Sequence, residues 1–299
     1  MKNNIKLLNR IEYMYFFDAV NSNPNGDPTT NNTPRIDPET NIGIVTDVCL
    51  KRKIRNYLLD VHDVEMYITE RSVLKEQKAK ALKEKGKDEI EQLCKYYYDI
   101  RAFGAVLPES SKPGKKDKKS TTSPKTNDED ENNSSRKTRK IRGPIQLTFA
   151  KSVEPVSLLD LTITRVAREN PNDDKENQSM GRKVVVPYAL YVCNIYVNPF
   201  QAYMTGFDEE DLCLFEEALL YMWELDRSAL RPCVNFRKII KFLHTSPYGD
   251  TSSEKLFSRV KVQRKDTSQI PRSIEDYVIS IDNQEIKDNV YRELVGSEP

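Results

Sequence analysis

Two kinds of chemistry are open to the residues near the start of this 299-residue chain. Asp18, Asp27, Asp37 and Asp47 lie close together in sequence, and paired carboxylates are what a two-metal phosphoryl site needs. The plainer reading is stronger. Asp27 and Asp37 each precede a proline, which is turn chemistry, and Asp47 stands where a helix cap belongs. The second kind is anion binding. Lys51, Arg52 and Arg55 share one face of a helical segment, since positions three and four apart are neighbours. Such a row suits a track of phosphates, and composition alone also fits a solvated amphipathic face. Only two histidines are present, His62 and His244, without matching partners nearby in sequence. No HExxH, CxxC, GxSxG or Walker pattern occurs. Neither a metal nor another cofactor is expected.

The elements that would position these groups follow from the patterning. Residues 11–20 (IEYMYFFDAV) are apolar on both alternating faces, which predicts a central strand covered on both sides. Residues 21–40 are loop by composition, with four prolines and many Asn, Asp and Thr. A loop of that length is uncommon unless it has a task. Gly26 and Asn21, Asn23 and Asn25 permit unusual backbone angles, and their amides suit an anion or a base edge. A helix capped by Thr46 or Asp47 follows, with Leu50, Ile54, Tyr57 and Leu58 on its apolar face. Residues 64–98 are charged and read as helical, and residues 60–98 as a helical insertion. Residues 99–107 read as a strand in which Gly104 marks a bulge or a close backbone approach. Residues 141–150 and 184–197 read as further strands. Between them the polar residues 165–183 form an expected hairpin, assigned boundaries 162–184. Its cations Arg165, Arg168, Arg182 and Lys183 flank Met180, an arrangement able to straddle a strand and wedge between bases, or simply an exposed hairpin. Residues 208–226 predict an amphipathic helix capped by Asp208, and residues 277–281 a short strand.

Net charge is only +1, but it is unevenly placed. Residues 109–142 hold 11 Lys/Arg against 6 Asp/Glu, net +5, leaving 36 against 40, net −4, elsewhere. Residues 109–135 carry almost no apolar side chain, so disorder is expected for the insertion bounded as 109–140. Global charge therefore gives no argument for nucleic acid, and only local patches do. The 15 Tyr, 10 Phe and single Trp suffice for a core. Five widely spaced cysteines suggest reduced thiols rather than disulfides or zinc. With no membrane-length apolar run and no signal-like N-terminus, a cytoplasmic protein without a membrane partner is expected.

Several blocks occur together and in order: NSNPNGDP, PRIDPETNIGIVTDVCLKRKIRNYL, DIRAFGAVL, RGPIQLTFAKSVEP, SMGRKVVVPYALY, LDRSALRP and HTSPYGDTSSEKLF. Across residues 8–260 the chain resembles the backbone subunit of the type I-C CRISPR Cascade surveillance complex, with the type I-B counterpart closely related. The resemblance implies an α+β fold, a single modified RRM-like (ferredoxin-like) palm with helical insertions and a thumb-like β-hairpin. It implies a non-catalytic protein that polymerises head to tail along one CRISPR RNA and presents its bases to a target DNA strand. Other Cascade subunits, a 5′-handle-binding subunit and a large subunit, are the further partners it implies. Residue by residue, Lys51, Arg52 and Arg55 match the basic helix along the guide. Asn23, Asn25, Gly26 and Arg35 match the loop beside it. Arg101, Phe103 and Gly104 match a strand motif of the palm, and Arg165, Arg168, Met180, Arg182 and Lys183 fall in the thumb. His244 lies in a C-terminal His-x-Ser motif. Two features depart from the pattern: the 109–135 insertion is longer, and DTSSEKLF is less apolar than the family's helix there. The type III relatives cut RNA with an acid in the loop before the equivalent helix. Here Asn31-Asn32-Thr33 lacks one, so a ribonuclease would have to use Asp27 or Asp37. A structural domain with a fortuitous basic face is the remaining alternative.

Overall fold

The structure, a computed structural model, describes residues 6–83, 88–108, 138–164 and 180–296. Its first element is β1 (Ile11–Ser22), followed by the short strands β2 (Gly26–Asp27) and β3 (Thr33–Pro34), then β4 (Ile42–Val45). Helix α1 (Asp47–His62) leads to α2 (Leu74–Ala81), α3 (Glu89–Tyr96) and α4 (Tyr98–Phe103). Strands β5 (Gly104–Pro108), β6 (Thr138–Arg142), β7 (Ile145–Leu147), β8 (Ala150–Pro155), β9 (Leu159–Thr164) and β10 (Met180–Val197) come next. The chain continues through α5 (Pro199–Thr205), α6 (Glu209–Leu225), β11 (Val234–His244), α7 (Ser253–Arg259), β12 (Val260–Arg264), β13 (Tyr277–Ile281), β14 (Gln284–Glu285) and β15 (Val290–Val295).

The fold is α+β around one eight-stranded sheet, ordered β15-β11-β1-β10-β8-β4, with β7 and β9 also pairing to β10. β1 lies in its middle, antiparallel to β10 and to β11, as its two-faced apolar pattern predicts. Tyr13, Tyr15, Phe17 and Ala19 face one core, beneath α1 and α6. Met14 and Phe16 face a second core, covered by α7 and the small β12-β13-β14 sheet. The buried hydroxyl of Tyr15 donates to the Leu219 carbonyl and accepts from Trp223 Nε1, so the aromatic core leaves neither polar tip unpaired. The α6 cap is reciprocal: Asp208 accepts the Asp211 N–H, and Asp211 accepts that of Asp208. α7 forms despite its polar sequence, because Ser252 caps it and Leu256 and Phe257 reach the second core.

Three expectations are corrected. Residues 99–103 are helical, and the strand begins only at Gly104. Asp99 explains the helix: its buried carboxylate collects the N–H groups of Tyr67 and Ile68 and the Arg55 guanidinium, which anchors the turn against α1. Residues 64–98 are not helical throughout, since residues 64–73 are irregular before α2. Residues 141–150 are three strands rather than one, interrupted at Gly143-Pro144 and again at Thr148-Phe149. The expected close approach at Gly104 is real. It has φ +81°, and an added Cβ would lie 2.2 Å from the Ile141 carbonyl oxygen. The expectation of disorder over 109–140 falls mostly outside the described residues, which include only Thr138, Arg139 and Lys140 of that stretch, at the start of β6. Among the described residues no helix is long and apolar enough to cross a membrane.

Candidate nucleic-acid interface

The long Asn/Gly/Pro loop is ordered by its own side chains. Asn23 is buried, and its Nδ2 donates to the Asn32 carbonyl at 2.7 Å. Gly26 passes so close to Asn32 that a Cβ would meet its side-chain oxygen at 2.0 Å. Asn25 joins the loop to α1: its Oδ1 accepts from the backbone N–H and the hydroxyl of Thr46, each at 3.0 Å. Thr46 in turn caps α1 by accepting the Cys49 N–H. Arg35 donates to Asp27 at 3.1 Å, while its Nε is buried with no partner among the described residues. The Thr29 hydroxyl and backbone N–H hold the Asp27 carboxyl below the usual carboxylate range, with Arg35 a smaller contribution. Asp37 is committed in the same way, accepting from the Glu39 N–H and the Thr40 hydroxyl.

Loop and helix meet in a groove of about 510 Å³ lined by Asn25, Arg35, Arg52, Lys53, Phe149 and the first turn of α1. Arg52 donates one N–H to the Ile68 carbonyl and pairs with no carboxylate among the described residues. Lys53 bridges to Asp226 at 2.6 Å and ties α1 to the end of α6. The groove's one acid, Asp47, is neutralised by Lys51 at 2.9 Å, one helical turn on. Of its lining cations, Arg35 and Lys53 are paired to carboxylates, whereas Arg52 has no such partner among the described residues, so the positive charge open to an anion centres on Arg52.

The other cations are placed differently. Arg55 is 8% exposed and its Nε donates to Asp99 at 2.8 Å. Its guanidinium also lies 5.1 Å from the Phe103 ring centroid, with Lys51 Nζ at 5.7 Å. Arg101 makes a two-point bond to Asp211, both contacts 2.7 Å. Burial works against its charge, and the Asp211 carboxylate more than offsets that, so its pKa is raised. Phe103 therefore packs against the cations of α1, while Arg101 ties α4 to α6 and Gly104 lies against the backbone of Ile141 and Gly143. Lys51, Arg52 and Arg55 do not act as one face: the structure separates an open cation, Arg52, from a capped one and a buried one.

At the hairpin, β9 pairs with β10 in the register Met180–Thr164, Arg182–Thr162 and Lys183–Leu161. Arg182 grips Asp160 from across the ladder. Lys183 is half-buried. Arg165 and Arg168 lie outside the described residues. His244 is buried and is not part of the groove's lining, accepting the Asp250 N–H on Nδ1 at 2.9 Å, beside the buried Glu12 carboxylate that also accepts from Ser253. The Ser253–Glu12 bond ties the start of α7 to β1.

Sequence reasoning missed Lys53 and Phe149. Lys53 carries the same signal as its neighbours but falls off their row. Phe149 has the parity of Ile145 and Leu147, which are buried, so an unbroken strand would have hidden it. The break at Thr148 reverses this. The Thr148 hydroxyl accepts the Asn194 N–H at 3.0 Å in place of a backbone oxygen, and Phe149 turns outward.

The chain matches the family model described as CRISPR-associated protein Cas7 over residues 9–282. It is 32% identical over 161 residues to a CRISPR-associated protein Cas7 of Haloferax volcanii, an alignment covering 50% of this chain and 44% of that relative. The chain therefore spans less than half the length of the curated relative. Among solved structures it is similar to a chain of the type III-B Cmr-beta complex bound to cognate target RNA (12% identity, TM-score 0.41, 77% of this chain and 60% of that one). It is also similar to a chain of a pre-nicking CRISPR RNA-guided surveillance complex (13% identity, TM-score 0.39, 71% of each chain). On the extent of the family match, the chain belongs to the Cas7 family of CRISPR-associated proteins.

Proposed function

We propose that the chain is a guide-RNA-binding backbone subunit of a CRISPR effector complex, of the type I-C Cascade kind, working in the cytoplasm on DNA targets. The observation that carries this reading is the groove where Asn25 and Arg35 of the loop meet Arg52 and the first turn of α1. Cations held on a capped helix neutralise guide phosphates without reading sequence, so many bases are accommodated alike. The RRM-like palm is the sheet and its helices, and the β9–β10 hairpin is the base of the thumb. Its row of Leu159, Leu161 and Ile163, all exposed, suits contact with a neighbouring copy. Repeated head-to-tail contacts give an open helix along the RNA, and many weak grips on one strand act together. The target strand, the 5′-handle-binding subunit and the large subunit are its further partners. A non-catalytic role fits the loop chemistry, since Asp27 and Asp37 direct their oxygens into turn hydrogen bonds.

The test is purification of the full chain with its bound nucleic acid, compared with Arg35→Ala/Arg52→Ala. The wild type should carry RNA of uniform length and the double variant should not. A variant that still carries guide RNA and still forms filaments overturns the reading. Complementary RNA supplied with magnesium should stay intact; periodic cleavage abolished by Asp27→Ala or Asp37→Ala would make the protein a ribonuclease instead.

A further inference from the structure

Phe149 is 52% exposed and Val48 69% exposed, and both line the groove that holds Arg35 and Arg52. A phenylalanine ring left in water forgoes a large burial term, and a fold normally removes it by keeping its strand in register. Here the opposite is built in. The Thr148 side chain takes the place of a backbone acceptor toward Asn194, and its own N–H donates to the Asn194 carbonyl at 2.9 Å. The flanking residues Leu147 and Ala150 stay buried. Phe149 is therefore displayed on a rigid two-residue break between β7 and β8 rather than on a loose loop. An apolar plate beside Arg52, which has no carboxylate partner among the described residues, and Arg35, whose pairing with Asp27 is half-exposed, matches the two halves of a nucleotide, a flat base and its phosphate.

We propose that Phe149, with Val48 beside it, is a stacking platform for one base of the bound RNA strand, while Arg35 and Arg52 hold the adjoining phosphate. This rests on the RNA-binding reading above and adds that each protomer fixes one nucleotide by its base as well as its backbone. Stacking accepts any base, because each has a π-face. It places the base in register without choosing its identity.

The experiment uses the full chain, a short oligouridylate, and an abasic oligomer of equal length. Trp223 is the only tryptophan and is buried in the core against Tyr15, so it supplies a steady fluorescence background. Phe149→Trp should report oligouridylate binding by quenching of its new indole emission; the abasic oligomer should leave that emission unchanged. Phe149→Ala should melt with the wild type and bind oligouridylate roughly tenfold more weakly, with the salt dependence unaltered. Oligouridylate binding without quenching, or unchanged affinity in Phe149→Ala, overturns the stacking platform while leaving RNA binding intact. A wild-type chain that binds neither oligomer removes the RNA reading itself, and the platform with it.

Discussion

Arg52 and Arg55 stand three residues apart on α1, yet they occupy opposite physical regimes. Arg55 is buried between a carboxylate and an aromatic ring, and Asp99 beside it is tied to two backbone N–H groups. Arg52 sits at the groove with one bond to a carbonyl and no carboxylate partner among the described residues. The same guanidinium chemistry is structural where desolvation forces a partner on it and available where it does not. The wall of Arg55, Asp99 and Phe103 holds α1 in place, and the groove of Asn25, Arg35, Arg52 and Phe149 uses that placement.

The strongest way to break the comparison is to remove a member of the wall. Arg55→Ala leaves Asp99 charged, buried and short of its guanidinium, a change that costs about 3–5 kcal/mol of stability. Chemical denaturation should show that loss, and any RNA still held by the surviving folded fraction should bind with the wild-type salt dependence. A stability change within about 0.5 kcal/mol, the range of ordinary surface substitutions, would mean that Arg55 belongs with the groove.

The groove should answer in the other way. Arg35→Ala/Arg52→Ala removes half-exposed cations, so denaturation should register little. Binding to single-stranded RNA should lose about 0.7 in the slope of log affinity against log salt for the one phosphate that the pair holds. A slope equal to the wild type's would place the phosphate track elsewhere on the molecule.

Much of this arrangement was legible in the sequence. The two-faced apolar run of β1, the Thr46 cap and the Asp208 cap each depend on neighbours within a few positions, and local physics settles them. The division between Arg52 and Arg55 was not legible, because it depends on Asp99, which joins α1 only through the tertiary fold. Residues 99–103 misled for a related reason: β-prone Ile100 and Phe103 suggest a strand, and the carboxylate that favours a helical turn there has partners thirty residues away. Gly104 was readable as a close approach, though its partner, the Ile141–Gly143 backbone, lies beyond a long intervening stretch. Phe149 was hidden by a break of register that only the Thr148–Asn194 bonds reveal.

The smallest effect expected, and the one that sharpens the contrast most finely, concerns Asp27. Its folded pKa lies below the ordinary carboxylate value because the charged form accepts from the Thr29 hydroxyl and N–H and, more weakly, feels Arg35. A group with a depressed folded pKa adds stability above its unfolded pKa of about 4, and that contribution is lost as pH falls through the lower folded value. Asp27→Asn should therefore lower the urea midpoint slightly at neutral pH, and the difference from wild type should shrink toward zero near pH 2. A difference that stays constant from neutral to acid would assign the effect to the shape of the loop rather than to its charge. The exposure that keeps the Asp27 contribution small also keeps its partner Arg35 exchangeable, able to leave a carboxylate for a phosphate, which the enclosed pair of Arg55 and Asp99 is not.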